Sequence, residues 1–172
     1  MWKLASNRGW ESLTCTVLAQ QAGGSDLGVL VDIALTGEFW DQSVPLADSA
    51  LTEDFQFRLP QVLLSIARLK ELEEALRQYV GLPFDELQAE PFRFECQLGL
   101  ADHQIGLLFG TSSELVTSSE KSVVNVTLSR GSTMKCETRF ETDQSCIREF
   151  ANALGSYLRV ARANRAKSAG GE

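Results

Sequence analysis

Histidine is almost missing from this sequence: His103 is the one imidazole in 172 residues. Any Ser-His-Asp or Cys-His unit, and any histidine-based metal site, would have to be built on it. It falls in a turn-like stretch, Ala101-Asp102-His103-Gln104, where Asp102 and His103 are sequence neighbours and so point apart. That is the pattern of a solvated turn histidine. Closely spaced cysteine pairs are also missing. Cys15, Cys96, Cys136 and Cys146 form no CxxC pair, so no zinc site is expected. Each lies in an apolar or alternating segment and reads as a small buried hydrophobe in a reducing compartment. Long hydrophobic runs are absent. The longest apolar block, residues 27–35, is broken by Asp32, too short to span a bilayer. The first ten residues lack a signal-peptide core, and the expected location is cytoplasmic. Neither GxxxxGK[ST] nor a strand-borne GxGxxG occurs, which removes the usual phosphate-cradling loops. Trp2, Trp10 and Trp40 are not interleaved with basic residues, so no stacking platform for single-stranded nucleic acid is expected.

What is present is the composition of a globular domain, 44% hydrophobic and 23% charged. The length suits one core. A single domain over residues 1–158 is expected, followed by a basic, fraying tail over 159–172. The net charge is −7 and uneven. The tail holds four of the 16 basic residues (Arg159, Arg162, Arg165, Lys167) and one of the 23 acidic ones, leaving 12 and 22, or −10, in the body. Such a body repels nucleic-acid phosphates and favours basic partners.

Alternation with period two marks strands with one buried face. Residues 92–100 put Phe92, Phe94, Cys96, Leu98 and Leu100 on one face and Arg93, Glu95 and Gln97 on the other. Ile105, Leu107 and Phe109, then Val124, Val126 and Leu128, then Met134, Cys136, Thr138 and Phe140, form the inward sets of three more strands. The last of these leaves Lys135, Glu137 and Arg139 outside. Earlier, residues 13–20 and 27–35 read as strands, residues 37–46 as a third strand or edge, and residues 55–59 as a short extended piece. Two helices are predicted. One starts with Pro60 in its first turn and ends near Gly81, with Val62, Ile66, Leu69, Leu72, Leu76 and Tyr79 as its stripe and Glu73 and Arg77 pairing on the wet face. The other is capped by Thr142 or Asp143, with Ile147, Phe150, Ala151, Leu154 and Leu158 as its stripe. The expected fold is α+β: a mostly antiparallel sheet with both helices on one face, a two-layer arrangement leaving the other face polar and open. No internal repeat is visible.

The candidate site residues follow from that open face and from an acidic loop. The loop carries Asp85, Glu86 and Glu90; the face offers Arg93, Glu95, Gln97, Lys135, Glu137 and Arg139. Their spacing matches no metal-binding loop, so no cofactor, metal or catalytic residue is assigned. The expected role is a non-catalytic protein-binding domain, with no nucleic-acid or membrane partner. Two alternatives stand beside it. One is a self-associating structural protein that uses an edge near residues 38–44. The other is a metal-dependent enzyme working with carboxylates alone.

The order of elements resembles the WapI family of bacterial immunity proteins. The features that carry the likeness are the strand pair over residues 92–109, a hairpin, a Thr142-Asp143-Gln144-Ser145-Cys146-Ile147-x-x-Phe150 helix start, and the earlier helix over residues 59–76. The likeness spans roughly Phe55 to Leu158. The sequence departs from it at Ala101–Gln104, where a Gly-bearing turn is expected, and in the Ser/Thr-rich link from Gly110 to Lys121. The resemblance implies an α+β binder that neutralises a cognate toxin domain without turnover. It brings no established site residues.

Overall fold

A computed structural model describes residues 1–6, 11–21, 28–38, 54–82, 93–99, 103–110, 122–130 and 134–169. The described residues form eight strands and two helices, an α+β fold. Four strands come first: β1 (Trp2–Ala5), β2 (Ser12–Gln21), β3 (Gly28–Glu38) and β4 (Asp54–Ser65). They form an antiparallel meander in chain order, and α1 (Ile66–Gly81) follows. The same order then recurs: β5 (Arg93–Gln97), β6 (His103–Gly110), β7 (Ser122–Arg130) and β8 (Met134–Thr142) make a second meander, and α2 (Gln144–Ala169) closes it. The sheet is therefore two four-stranded sheets. A bridge between Leu64 and Gly99 joins them, supported by the Ser65 N–H donating to the Leu98 carbonyl at 3.1 Å. A repeat hidden in the sequence is plain in the element order.

One core serves both sheets and both helices. Val29, Val31, Ile33 and Leu35 from β3, Ile105, Leu107 and Phe109 from β6, and Val124, Val126 and Leu128 from β7 are all buried. Leu69, Leu72, Leu76 and Tyr79 from α1 join Ile147, Phe150, Ala151 and Leu154 from α2 in the same cluster. The period-two sets of β6 and β7 thus face inward as their alternation requires, as do Cys96 and Leu98 of the set before them.

The largest departure from the sequence reading lies at Pro60. The stretch after it looks helical because Val62, Ile66, Leu69, Leu72, Leu76 and Tyr79 fall three or four apart. The chain instead stays in β4 to Ser65, and Val62 and Leu64 are strand residues. Proline cannot donate to the ladder, and the β3–β4 register shifts between Val31 and Ile33, opposite Pro60 and Gln61. Gln61 takes a positive φ of 53°, and its N–H donates to Asp32 Oδ1 at 2.9 Å. This irregularity resets the side-chain parity, so Leu59 and Val62 both point into the core although they are an odd number of residues apart. The helix begins only where Ser65 can cap it, with the Ser65 hydroxyl accepting from Arg68 N–H at 3.4 Å.

The second helix starts as its sequence predicts. Asp143 Oδ1 accepts from the Cys146 N–H at 2.9 Å, while Thr142 is buried and its hydroxyl donates to the Ala5 carbonyl at 2.8 Å, tying the end of β8 to β1. Burial opposes ionisation of Asp143, but the hydrogen bonds from Ser145 and Cys146 outweigh it and hold the carboxyl below the usual aspartate range. A lowered carboxylate stabilises the fold above its unfolded pKa, and that contribution is lost as pH falls through the folded value. Asp143→Ala is therefore expected to cost about 0.5–2 kcal/mol at neutral pH. The gap between wild type and variant should close as pH drops from about 5 to about 2. Denaturant titrations along that range check it. The helix runs on to Ala169, so Arg159 and Arg162 lie on it.

Candidate functional site

The second sheet presents its polar face outward. Arg93, Glu95 and Gln97 alternate with the inward Phe94 and Cys96 along β5, and all three are exposed. The ladder fixes what lies beside them. Gln97 pairs with Gly106, Gly106 with Thr127, and Thr127 with Glu137. Glu95 pairs with Leu108, then Asn125, then Arg139; Arg93 pairs with Gly110, then Val123, then Glu141. Lys135 stands opposite Ser129 in the next row. Residues paired across an antiparallel ladder share a face, so the two predicted trios belong to one surface.

They do not form one cluster. β5 and β8 are the outer strands of this sheet, with β6 and β7 between them. At the usual strand spacing the two trios stand about 14 Å apart. The sequence picks out the two charged rims and misses the floor, which is Gly106, Leu108, Asn125 and Thr127. That floor is uncharged, and less exposed than Arg93, Glu95 and Gln97 on β5, and so carries no charge signal to find it by. Gly106 is buried, and a Cβ there would come within 2.9 Å of the Gln97 side-chain amide. The Gln97 side chain therefore lies over the glycine, and the floor is shallow at that point. Charges on the rims alternate in sign within a strand and oppose each other across rows: Glu95 shares a row with Arg139, and Arg93 with Glu141. Such a face offers hydrogen-bonding and ion-pairing groups in fixed register, and it favours a partner with matching alternation.

Asp85, Glu86 and Glu90 lie outside the described residues, as do Asp102 and most of the edge expected near residues 38–44. The backbone places His103 at the start of β6, opposite Arg130. Among the described residues, no group of three His, Cys, Asp or Glu side chains is placed to hold a metal ion, and no helix is long and apolar enough to cross a membrane. All four cysteines are free thiols. Burial pushes the Cys15 and Cys96 thiols up to about 12. Thiolate is the reactive form, so both should resist alkylation at pH 8 in the folded protein and react once denaturant is added, as mass spectrometry of labelled protein would show. Comparison with protein-family models, with curated proteins and with solved structures finds no match.

Proposed function

We propose that this chain is a non-catalytic binding protein, an immunity protein of the WapI kind that neutralises a cognate toxin domain. The observation behind the reading is the open face of the β5–β8 sheet. Its back is packed on the core, while Arg93, Glu95 and Gln97 stand exposed on one rim. The ladder already fixes the backbone that carries them, so binding need order only the side chains, which favours recognition. The net charge of −7 adds long-range attraction for a basic toxin domain. The acidic loop with Asp85, Glu86 and Glu90 would extend the same contact.

The test is capture followed by rescue. The immobilised chain is exposed to a lysate of its source organism, and a retained protein is then expressed with and without this chain. The expected result is one dominant basic partner whose toxicity this chain suppresses. Arg93→Glu with Glu95→Lys should weaken that binding by about tenfold or more, about 1.4 kcal/mol or above, with the melting temperature unchanged. A retained partner that binds the double variant equally well would move the site away from this face, and failure to suppress toxicity would end the immunity reading.

A further inference from the structure

The charges of the β5–β8 face follow a pattern that the single chain does not use. Sign alternates down β5, with Arg93, Glu95 and Gln97 on successive rows, and down β8, with Glu141, Arg139, Glu137 and Lys135. Sign also reverses across a row. The ladder sets Glu95 level with Arg139 and Arg93 level with Glu141, with β6 and β7 between them. Side chains stand roughly perpendicular to a sheet. The two ends of a row, about 14 Å apart, therefore point outward side by side. Between them the Glu95 and Gln97 rows carry Leu108, Asn125, Gly106 and Thr127, none of them charged.

Such a face is its own complement. A two-fold axis parallel to the strands, passing midway between β6 and β7, lays one copy of the face on another, keeps every row and exchanges the rims. β5 of one copy then covers β8 of the other. Glu95 meets Arg139 of the second copy, Arg93 meets Glu141 and Gln97 meets Glu137, each pairing occurring twice. On the floor, Leu108 lies over Asn125 and Gly106 over Thr127. Lys135 falls one row past Gln97, beyond the end of β5, so no like charges meet. An axis across the strands reverses the row order instead. It sets Glu95 on Glu95 and Arg139 on Arg139 if it passes through their row, and brings unlike charges together only if it falls between rows. The parallel axis needs no such adjustment of register. Aligned sheets cross at about 30°, and the long arginine and glutamate side chains span the shift of a few ångströms that this crossing introduces.

We propose that the outward face of β5–β8 docks face to face with the same face of a second copy of this chain, about a two-fold axis along the strands. The contact is isologous and closes at two copies. With its rim side chains the face measures roughly 20 by 24 Å, which places the contact among small, transient interfaces. The net charge of −7 on each copy opposes long-range approach. The dimer is accordingly weak and reversible. The immunity reading puts the toxin domain on this same face, so a second copy and a toxin exclude each other there. The dimer itself needs no toxin, and its absence would leave that reading standing.

Sedimentation of the full chain over a range of concentrations tests it. The expected result is a reversible dimer. Glu95→Arg sets arginine on Arg139 of the second copy, and Arg139→Glu sets glutamate on Glu95. Each should weaken the dimer by about tenfold or more while keeping the melting temperature of dilute wild type. Mixing the two variants should restore a species of twice the monomer mass, because both pairings are then unlike again. Gln97→Arg, at an exposed position, meets Glu137 of the second copy and should tighten the dimer, a readout that does not depend on Arg139→Glu folding. A wild type that stays monomeric throughout overturns the proposal. So does a dimer that persists in Glu95→Arg, and so does a mixture that stays at the monomer mass.

Discussion

Replacing Trp2 with alanine is expected to cost about 3–5 kcal/mol, the largest effect of any single change considered for this chain. The indole is only 2% exposed and packs edge-on against Tyr157, with ring centroids 5.0 Å apart at 64°. It lies on β1 and touches α2, so its loss would open a cavity where those two elements meet. Trp2→Phe should behave very differently. The indole Nε1 is buried with no hydrogen-bond acceptor among the described residues. Phenylalanine keeps the ring contact and discards that unpaired donor, whose desolvation costs about 1–3 kcal/mol. The expected net loss for Trp2→Phe is therefore under about 1.5 kcal/mol. Denaturant unfolding of the two variants side by side decides the matter. Equal destabilisation would mean that the indole N–H is satisfied in solution.

The second large effect is expected at Gly155. This residue is buried in α2, where α2 crosses α1. A Cβ there would come within 2.6 Å of Glu73 Oε1 and 2.8 Å of an Arg77 guanidinium nitrogen. Glu73 and Arg77 form an ion pair, so the helices meet with a glycine under a salt bridge. Gly155→Leu must displace that pair or part the helices, and should cost about 1–3 kcal/mol or more. Gly155→Ala meets only the ends of two flexible side chains, and alanine gains up to about 1 kcal/mol over glycine in a helix interior. It should therefore be close to neutral. Thermal melting of the pair checks both signs, and an alanine variant as damaged as the leucine one would show that the ion pair cannot move.

These two sites mark what the sequence can and cannot say. The alternation in β5 to β8 is clean, and Ile105, Leu107, Phe109, Val124, Val126 and Leu128 are buried as their spacing demands. Ile147, Phe150, Ala151 and Leu154 face the core as one stripe for the same reason. Glu73 and Arg77 do pair, with Arg77 exposed and Glu73 half-buried beside Gly155; spacing along one helix says nothing about which neighbour lies next to the pair. β1 is too short for alternation at Trp2 and Leu4 to register. The start of α1 is misread because the irregularity at Pro60–Gln61 gives a strand a helix-like spacing. On the candidate site, charge alternation locates the rims at Arg93–Gln97 and Lys135–Arg139. Only the ladder shows that they share a face, what lies between them, and how far apart they stand.

Four strands and a helix, given twice, also bear on how the molecule is held together. Each half brings one sheet and one helix, the two helices close on each other, and the seam runs through Leu64–Gly99 and Ser65–Leu98. That is the plan of two like units on one tether, the segment after α1. A tether of that kind keeps the second unit at an effective concentration of order millimolar. The halves therefore meet in dilute solution as readily as in concentrated solution. Each sheet keeps its inward face for the shared core, so the outward face of one can differ from that of the other without disturbing the packing. Here the ladders of the second sheet run without a register shift, whereas the first shifts between Val17 and Ala19 and between Val31 and Ile33, opposite Pro60 and Gln61.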